Sequence, residues 1–170
     1  MSNPTRYYSD KQESMVADYL GFSVVSGSGS DKFAPGDVKS TNYLIECKTH
    51  MEPTDKIQIF SSHWAQIKNE ASVSARHPVL VVDDGTQKSE NTWVICRPAG
   101  VNRSRLRLYI MPGDVGKSTN LSFSAKYITP ILCATQSLEG NNLYCAFIIY
   151  WRNEEILLMP LATFKEVMHK

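Results

Sequence analysis

The order in which helical and extended periodicities alternate constrains this chain more than any other feature. Met15, Val16, Tyr19 and Leu20 recur at helical spacing. Asp10 with Glu13 makes a capping-box-like start, with Ser9 a competing N-cap, and Gly21 stops the helix. Residues 1–8 ahead of it read as a loose leader. Phe22–Val25 is short and β-prone, and Ser26-Gly27-Ser28-Gly29-Ser30 is a loop running on to Pro35-Gly36. Asp37–Lys39 and Tyr43–Lys48 read as two strands joined by the turn Ser40-Thr41-Asn42. Ile57–Phe60 follows the polar loop Met51–Lys56 as a short strand. Ser61 or Ser62 then caps a helix to about Ala75, with Trp64, Ile67 and Ala71 on one face. Pro78–Val82 is a fully apolar strand, and Thr92–Cys96 is another, beyond the turn-rich loop Asp83–Asn91. Helix, strands, helix, strands predicts an α/β sandwich around a mixed sheet.

Beyond Pro98, Arg103, Arg105 and Arg107 alternate with Ser104, Leu106 and Leu108, which predicts a strand with one basic face. Met111–Asn120 reads as loop. Ala146–Trp151 and Ile156–Met159 form a hairpin turning at Arg152-Asn153-Glu154, and Leu161–Met168 ends the chain as a short helix. No tandem repeat is read; residues 57–97 and 121–160 echo one another only faintly (a polar start, a helix-like middle, two strands), too weakly to build on. The 170 residues suit one domain, and 42% apolar content is enough for a core. Lys and Arg number 18 against 17 Asp and Glu, a net charge of +1, so no charge excess announces a nucleic-acid partner or forbids one. Cys47, Cys96, Cys133 and Cys145 form no CxxC and lie near no His at finger spacing, which argues against structural zinc. The longest apolar runs fall far short of the roughly 20 residues of a membrane helix, and the N-terminus lacks a signal-peptide core. A soluble, cytoplasmic protein with free thiols is the expectation.

The chemistry concentrates in Pro35-Gly36-Asp37 and Glu46-Cys47-Lys48. The i, i+2 spacing points Glu46 and Lys48 the same way on one strand, with Leu44, while Ile45 and Cys47 face the other side. The hairpin can bring Asp37 alongside. Two carboxylates at one spot repel unless a cation sits between them, and Mg²⁺ suits hard oxygen ligands. Such an ion polarises a phosphate and lowers the pKa of a bound water, and a neighbouring lysine can position that water or offset phosphate charge. The chemistry this implies is hydrolysis of a phosphodiester. The pattern alone also fits a surface hairpin with a weak solvated Glu46–Lys48 pair. Context favours the site: the two charges interrupt an apolar strand, a Gly/Ser loop precedes Asp37, and Glu13 sits on the preceding helix.

These residues resemble the PD-(D/E)XK nuclease superfamily. More narrowly, Glu13, the SGSGS loop, Gly36-Asp37-Val38 and Tyr43-Leu-Ile-Glu-Cys-Lys-Thr49 look like the archaeal and phage Holliday-junction resolvases, a likeness running over about residues 10–97. The resemblance implies a restriction-endonuclease-like core over residues 9–97, a mixed central sheet flanked by helices, with 98–170 as a β-rich C-terminal elaboration of the same domain. It implies that Asp37, Glu46 and the Cys47 carbonyl bind Mg²⁺ (with Mn²⁺ substituting), that Glu13 helps from the helix, and that Lys48 is the catalytic lysine. DNA contacts are expected from Lys11, Ser28, Lys32, Lys39, Arg103, Arg105 and Arg107. The implied protein is a homodimeric, Mg²⁺-dependent DNA endonuclease that resolves four-way junctions, of the kind that phages encode. A nuclease of the same core acting on duplex, nicked or flap DNA, and a non-catalytic DNA-binding protein on the same scaffold, are the alternatives. The sequence departs from the resolvase pattern in three ways. Gln12 stands where a basic residue often flanks the helix glutamate, the net charge is low, and residues 98–170 have no counterpart in the compact resolvases.

Other motifs read as structure. Gly113-Asp114-Val115-Gly116-Lys117-Ser118 resembles the end of a P-loop, but Met111 stands where glycine is required and Pro112 removes an N–H. It is read as a turn. Asp83-Asp84 reads as a solvated loop pair, and Trp64, Trp93 and Trp151 as core or interface.

Overall fold

The computed structural model describes residues 4–26, 34–111, 118–132, 136–138 and 141–170. Ser28, Lys32, Cys133 and residues 113–117 of the P-loop-like turn lie outside them. The chain runs α1 (Pro4–Leu20), β1 (Ser23–Val24), β2 (Val38–Lys39), β3 (Tyr43–Lys48), β4 (Lys56–Phe60), α2 (Ser61–Val73), β5 (His77–Asp83) and β6 (Thr92–Cys96). It continues through β7 (Leu106–Ile110), β8 (Asn120–Ser124), α3 (Ala125–Leu132), β9 (Gln136–Leu138), β10 (Asn141–Trp151), β11 (Glu154–Pro160) and α4 (Leu161–Val167).

The expected α/β architecture around a large mixed sheet is present. The strands lie in the order β1-β2-β3-β5-β6-β11-β10-β7, with β9 on β10 and a separate β4–β8 ribbon. β3 runs parallel to β5 and β7 parallel to β10, and the other pairings are antiparallel. Strand alternation divides the core into two apolar layers. Ile45, Val79, Val81 and Val94 face Val16, Leu20 and Phe164 of α1 and α4. Leu44, Leu80, Val82 and Ile95 face Trp64, Ile67 and Ile128 of α2 and α3 and the inner side of the β4–β8 ribbon. The buried face of α2 is Trp64, Ile67 and Ala71, as its periodicity predicts. No helix among the described residues is long and apolar enough to cross a membrane.

The echo between the two stretches of sequence has a structural counterpart. With the preceding strands included and the three-residue β9 set aside, β3-β4-α2-β5-β6 and β7-β8-α3-β10-β11 follow the same order. Exchanging them leaves the pairing unchanged: each first strand is parallel to the strand after its helix, β6 meets β11 antiparallel at the centre, and β4 meets β8 antiparallel. A local two-fold axis between β6 and β11 would have this effect. Residues 98–170 therefore complete the sheet instead of standing beside it.

Three expectations are corrected. α1 begins at Pro4, not near Asp10. Its first turns carry no apolar stripe because Thr5, Arg6 and Ser9 line a polar cleft, and proline is well placed at a helix start. The helix does end at Gly21 (φ +74°) in a Schellman motif: Phe22 N–H donates to Ala17 O at 2.9 Å and Gly21 N–H to Asp18 O at 3.4 Å. Second, Arg103 and Arg105 lie in a short 3₁₀ turn rather than a strand, because the Asn102 side chain accepts from the Ser104 N–H and hydroxyl. Third, Asp83 is fully buried, not solvated. Its carboxylate accepts from the Thr49 hydroxyl at 2.6 Å and from the Gly85 and Gln87 N–H groups.

Glu154, at the β10–β11 turn, ties the two stretches together. It accepts from Trp64 Nε1 at 2.8 Å, from Arg97 Nε at 3.3 Å and from Lys68 Nζ. Glu154→Ala leaves the buried indole N–H without its acceptor and two cations without a counter-charge. The expected loss is about 1–3 kcal/mol in urea unfolding, with Glu154→Gln losing less because the amide oxygen can still accept from Trp64. Equal stability of all three proteins would contradict this.

Candidate active site

The end of β3 opens into a cleft of about 430 Å³ between α1 and α2. Asp37 enters it from the turn before β2, and Glu46 and Lys48 from β3. Gly36 makes that turn possible. Its φ is +67°, and a Cβ there would lie 2.8 Å from Leu44 Cδ1 and 3.1 Å from Ile45 O. Asp37 is then fixed by backbone and side chain alike. Its N–H donates to Ile45 O (2.8 Å), its carbonyl accepts from Val25 N–H (2.8 Å), and its Oδ2 accepts from Cys47 N–H (2.8 Å).

Glu46 is 5% exposed, and its Oε1 receives Lys48 Nζ at 2.5 Å. This is not the weak solvated pair of the alternative reading, since the carboxylate is buried. Burial, reinforced by the like charge of Glu46, raises the Asp37 carboxyl to about 6 despite the opposing Cys47 N–H bond and the charge of Lys48. Burial pulls the Lys48 ammonium down, but its hydrogen bond to Glu46 and the charges of Glu46 and Asp37 outweigh this and raise it. Burial, then the charges of Asp37, Glu13 and Glu46, hold the Cys47 thiol well above its usual range, so its sulfur is no nucleophile.

The helices supply the walls. Glu13, 8% exposed, lines the cleft from α1 and Glu70 from α2. Two residues here were not singled out as site residues from sequence. Gln12 is fully buried, and its Nε2 donates to Lys48 O at 2.9 Å, tying α1 to the end of β3. Glu70 accepts from Gly36 N–H at 2.9 Å. Behind the cleft, Asp83 and Gln87 hold the chain leaving Lys48: Gln87 Nε2 donates to Thr49 Oγ1 at 3.0 Å.

Asp37, Glu46, Cys47, Lys48 and Glu13 are thus brought together. Among the described residues, no group of three His, Cys, Asp or Glu side chains is arranged to hold a metal ion. The hard oxygens at hand are the Asp37 and Glu46 carboxylates and nearby backbone carbonyls. The expected basic stripe is not brought together with them. Arg103 pairs with Glu155 at 3.4 Å, Arg105 with Glu166 at 3.8 Å and with the Tyr144 ring, and Arg107 lies over Tyr109. These arginines sit on and beside β7, at the opposite edge of the sheet from β2 and β3. Lys11 on α1 and Lys39 on β2 are exposed on elements that border the site.

A second cleft, about 520 Å³, lies between Thr54, Asp55, Trp93 and α3. Its acids are engaged locally: Asp55 caps α3 through Lys126 N–H and Ser124 Oγ, and Asp84 accepts from Thr86. Lys126 lines it beside these two acids, but one acid is spent on capping α3 and the other on the Thr86 turn. Comparison of the chain with protein-family models, curated proteins and solved structures finds no match.

Proposed function

We propose that this protein is a divalent-cation-dependent DNA endonuclease of the PD-(D/E)XK type, with a restriction-endonuclease-like core. One observation carries the reading: Asp37, Glu46 and Lys48 share a cleft in which Lys48 Nζ touches Glu46 and Asp37 is clamped to the strand between them. The donor set fits Mg²⁺. A buried carboxylate, Glu46, and a half-buried one, Asp37, repel each other, and Asp37, raised to about 6, gains from a hard cation between them. Asp37 and Glu46, with the Cys47 carbonyl, would hold it, and Glu13 would add negative charge from α1. When bound, the ion supplies charge to a scissile phosphate and lowers the pKa of a water. Lys48 neutralises phosphate charge as it builds, its ammonium kept protonated by the surrounding acids. Gln12 holds the Lys48 backbone while this happens.

Four-way DNA junctions are the substrate form that the resemblance to resolvases favours. β7, which occupies the place of β3 in the second stretch, reads Leu106-Arg107-Leu108-Tyr109-Ile110 and carries no acid, so one chain supplies one such centre. Two opposed nicks would then take two chains, which supports a homodimer on the substrate.

The test is cleavage of a labelled synthetic four-way junction beside matched duplex, flap and single-stranded DNA, with Mg²⁺ or EDTA. Paired symmetric nicks confined to the junction, lost with EDTA and reduced roughly 10²–10³-fold by Lys48→Ala, are expected. Equal cutting of duplex or flap would keep the site and discard the junction. A folded protein that cuts nothing would sink the nuclease reading in favour of a DNA-binding role.

A further inference from the structure

We infer that Glu70 is a positioning residue of this site, holding the Asp37 turn in register through the Gly36 N–H. The inference rests on the nuclease reading for its consequence, but its geometry stands apart from that reading. Gly36 is pressed against β3 on one side, where Leu44 and Ile45 O leave no room even for a Cβ. The turn therefore cannot settle inward. Its N–H points to α2, and there Glu70 Oε2 receives it at 2.9 Å. A hydrogen bond to a charged acceptor is stronger than a neutral one. The next residue is Asp37, whose N–H and Oδ2 are bonded to Ile45 and Cys47 of β3. Glu70 thus holds Gly36 and β3 holds Asp37, so both consecutive residues of the turn are fixed.

The rest of α2 shows why Glu70 can do this. Its other oxygen, Oε1, accepts from Gln66 Nε2 at 2.9 Å, one turn earlier on the same helix. That bond limits the rotamers of a long side chain. The helix itself is anchored by the buried Ile67 and Ala71 on either side of Glu70 in sequence. One oxygen is held by the turn and the other by Gln66, so the contact Glu70 makes with the site runs through the backbone of Gly36. A glutamine at the same place would keep an acceptor for the Gly36 N–H, and an alanine would not.

The experiment compares Glu70→Ala, Glu70→Gln and Gln66→Ala with the unmodified protein. In the metal-free protein, amide exchange is followed at Gly36, with Leu80 of β5 as an internal reference. Mn²⁺ affinity is measured by titration, and junction cleavage as a function of Mg²⁺ concentration. In Glu70→Ala, Gly36 exchange should accelerate at least about tenfold with Leu80 unchanged. Its Mn²⁺ affinity should fall about 10–100-fold, with the Mg²⁺ half-saturation of cleavage rising in step. Glu70→Gln should recover most of each loss, falling short of the unmodified protein only by the difference between a charged and a neutral acceptor, the rescue that a hydrogen-bond role requires. Gln66→Ala covers the case in which Glu70→Ala fails to fold: it frees the Glu70 rotamer and should speed Gly36 exchange by a smaller factor. Unchanged Gly36 exchange and Mn²⁺ affinity in Glu70→Ala would overturn the assignment, and so would a Glu70→Gln as damaged as Glu70→Ala. An unmodified protein that binds no Mn²⁺ and cuts nothing, while Glu70→Ala still loses Gly36 protection, would uphold the bond and overturn the nuclease reading alone.

Discussion

Asp37→Asn should lose cation-dependent cleavage by about 10³-fold or more and, in the metal-free state at pH 7, should be more stable than the unmodified protein. The two effects share a cause. Burial and the charge of Glu46 raise the Asp37 carboxyl from 3.8 to about 6 in the folded chain. Between those values the folded state holds more protons than the unfolded one, so stability falls as pH rises through that window, and the loss is complete by pH 7. Asparagine cannot ionise, yet its side-chain oxygen can still accept the Cys47 N–H that Asp37 Oδ2 accepts. The gain at pH 7 should be on the order of 1–2 kcal/mol once solvent screening is allowed for, and it should vanish near pH 4. Saturating Mg²⁺ should raise the melting temperature of the unmodified protein and leave that of Asp37→Asn where it was. Calorimetry at the two pH values, with EDTA or Mg²⁺, reads all of this. A less stable Asp37→Asn at pH 7 would make Asp37 a structural anchor of the β2–β3 turn rather than a strained carboxylate awaiting a cation.

How much of this was legible beforehand depends on how local each signal is. β3 and the shared face of Glu46 and Lys48 follow from period-two alternation within six residues, and the face of α2 from Trp64, Ile67 and Ala71. The Gly21 stop is equally local. Alternation misleads at Arg103–Arg107, where three residues of apparent strand are a turn that Asn102 caps. The start of α1 carries no hydrophobic period because its inner face meets the cleft and not the core, so a polar run resembled a leader. Asp83 departs from its expected exposure for a related reason: its partners are the N–H groups of its own loop and the Thr49 hydroxyl, which composition does not reveal. The bonds that Gln12 and Glu70 make are not local at all. Each bonds a backbone group 36 or 34 residues distant, and nothing in a helix sequence marks which polar side chain will do so. The echo of residues 57–97 in 121–160 is too faint to use in the sequence, and the pairing of β6 with β11 that gives it meaning needs the fold.

Gly36→Ala should cost about 2–4 kcal/mol and remove cleavage, whereas Gly21→Ala should cost about 1 kcal/mol and keep it. Both glycines have left-handed backbones, with φ of +67° and +74°, so both substitutions meet the same intrinsic strain. Their surroundings differ. A Cβ on Gly21 meets nothing within 4 Å, while one on Gly36 meets Leu44 Cδ1 at 2.8 Å, Leu44 Cγ at 2.9 Å and Ile45 O at 3.1 Å. The leucine can rotate only at the expense of a core layer it shares with Trp64 and Ile67, and the carbonyl cannot move without shifting β3. The turn must therefore lift, and lifting it carries Asp37 away from Cys47 N–H and from Glu46. The difference between the two variants isolates close approach from backbone strain. Denaturant unfolding and junction cleavage on the pair measure it. If Gly36→Ala folds as well as Gly21→Ala and still cuts, the turn has slack, and Asp37 does not depend on its contact with β3 for its place in the cleft.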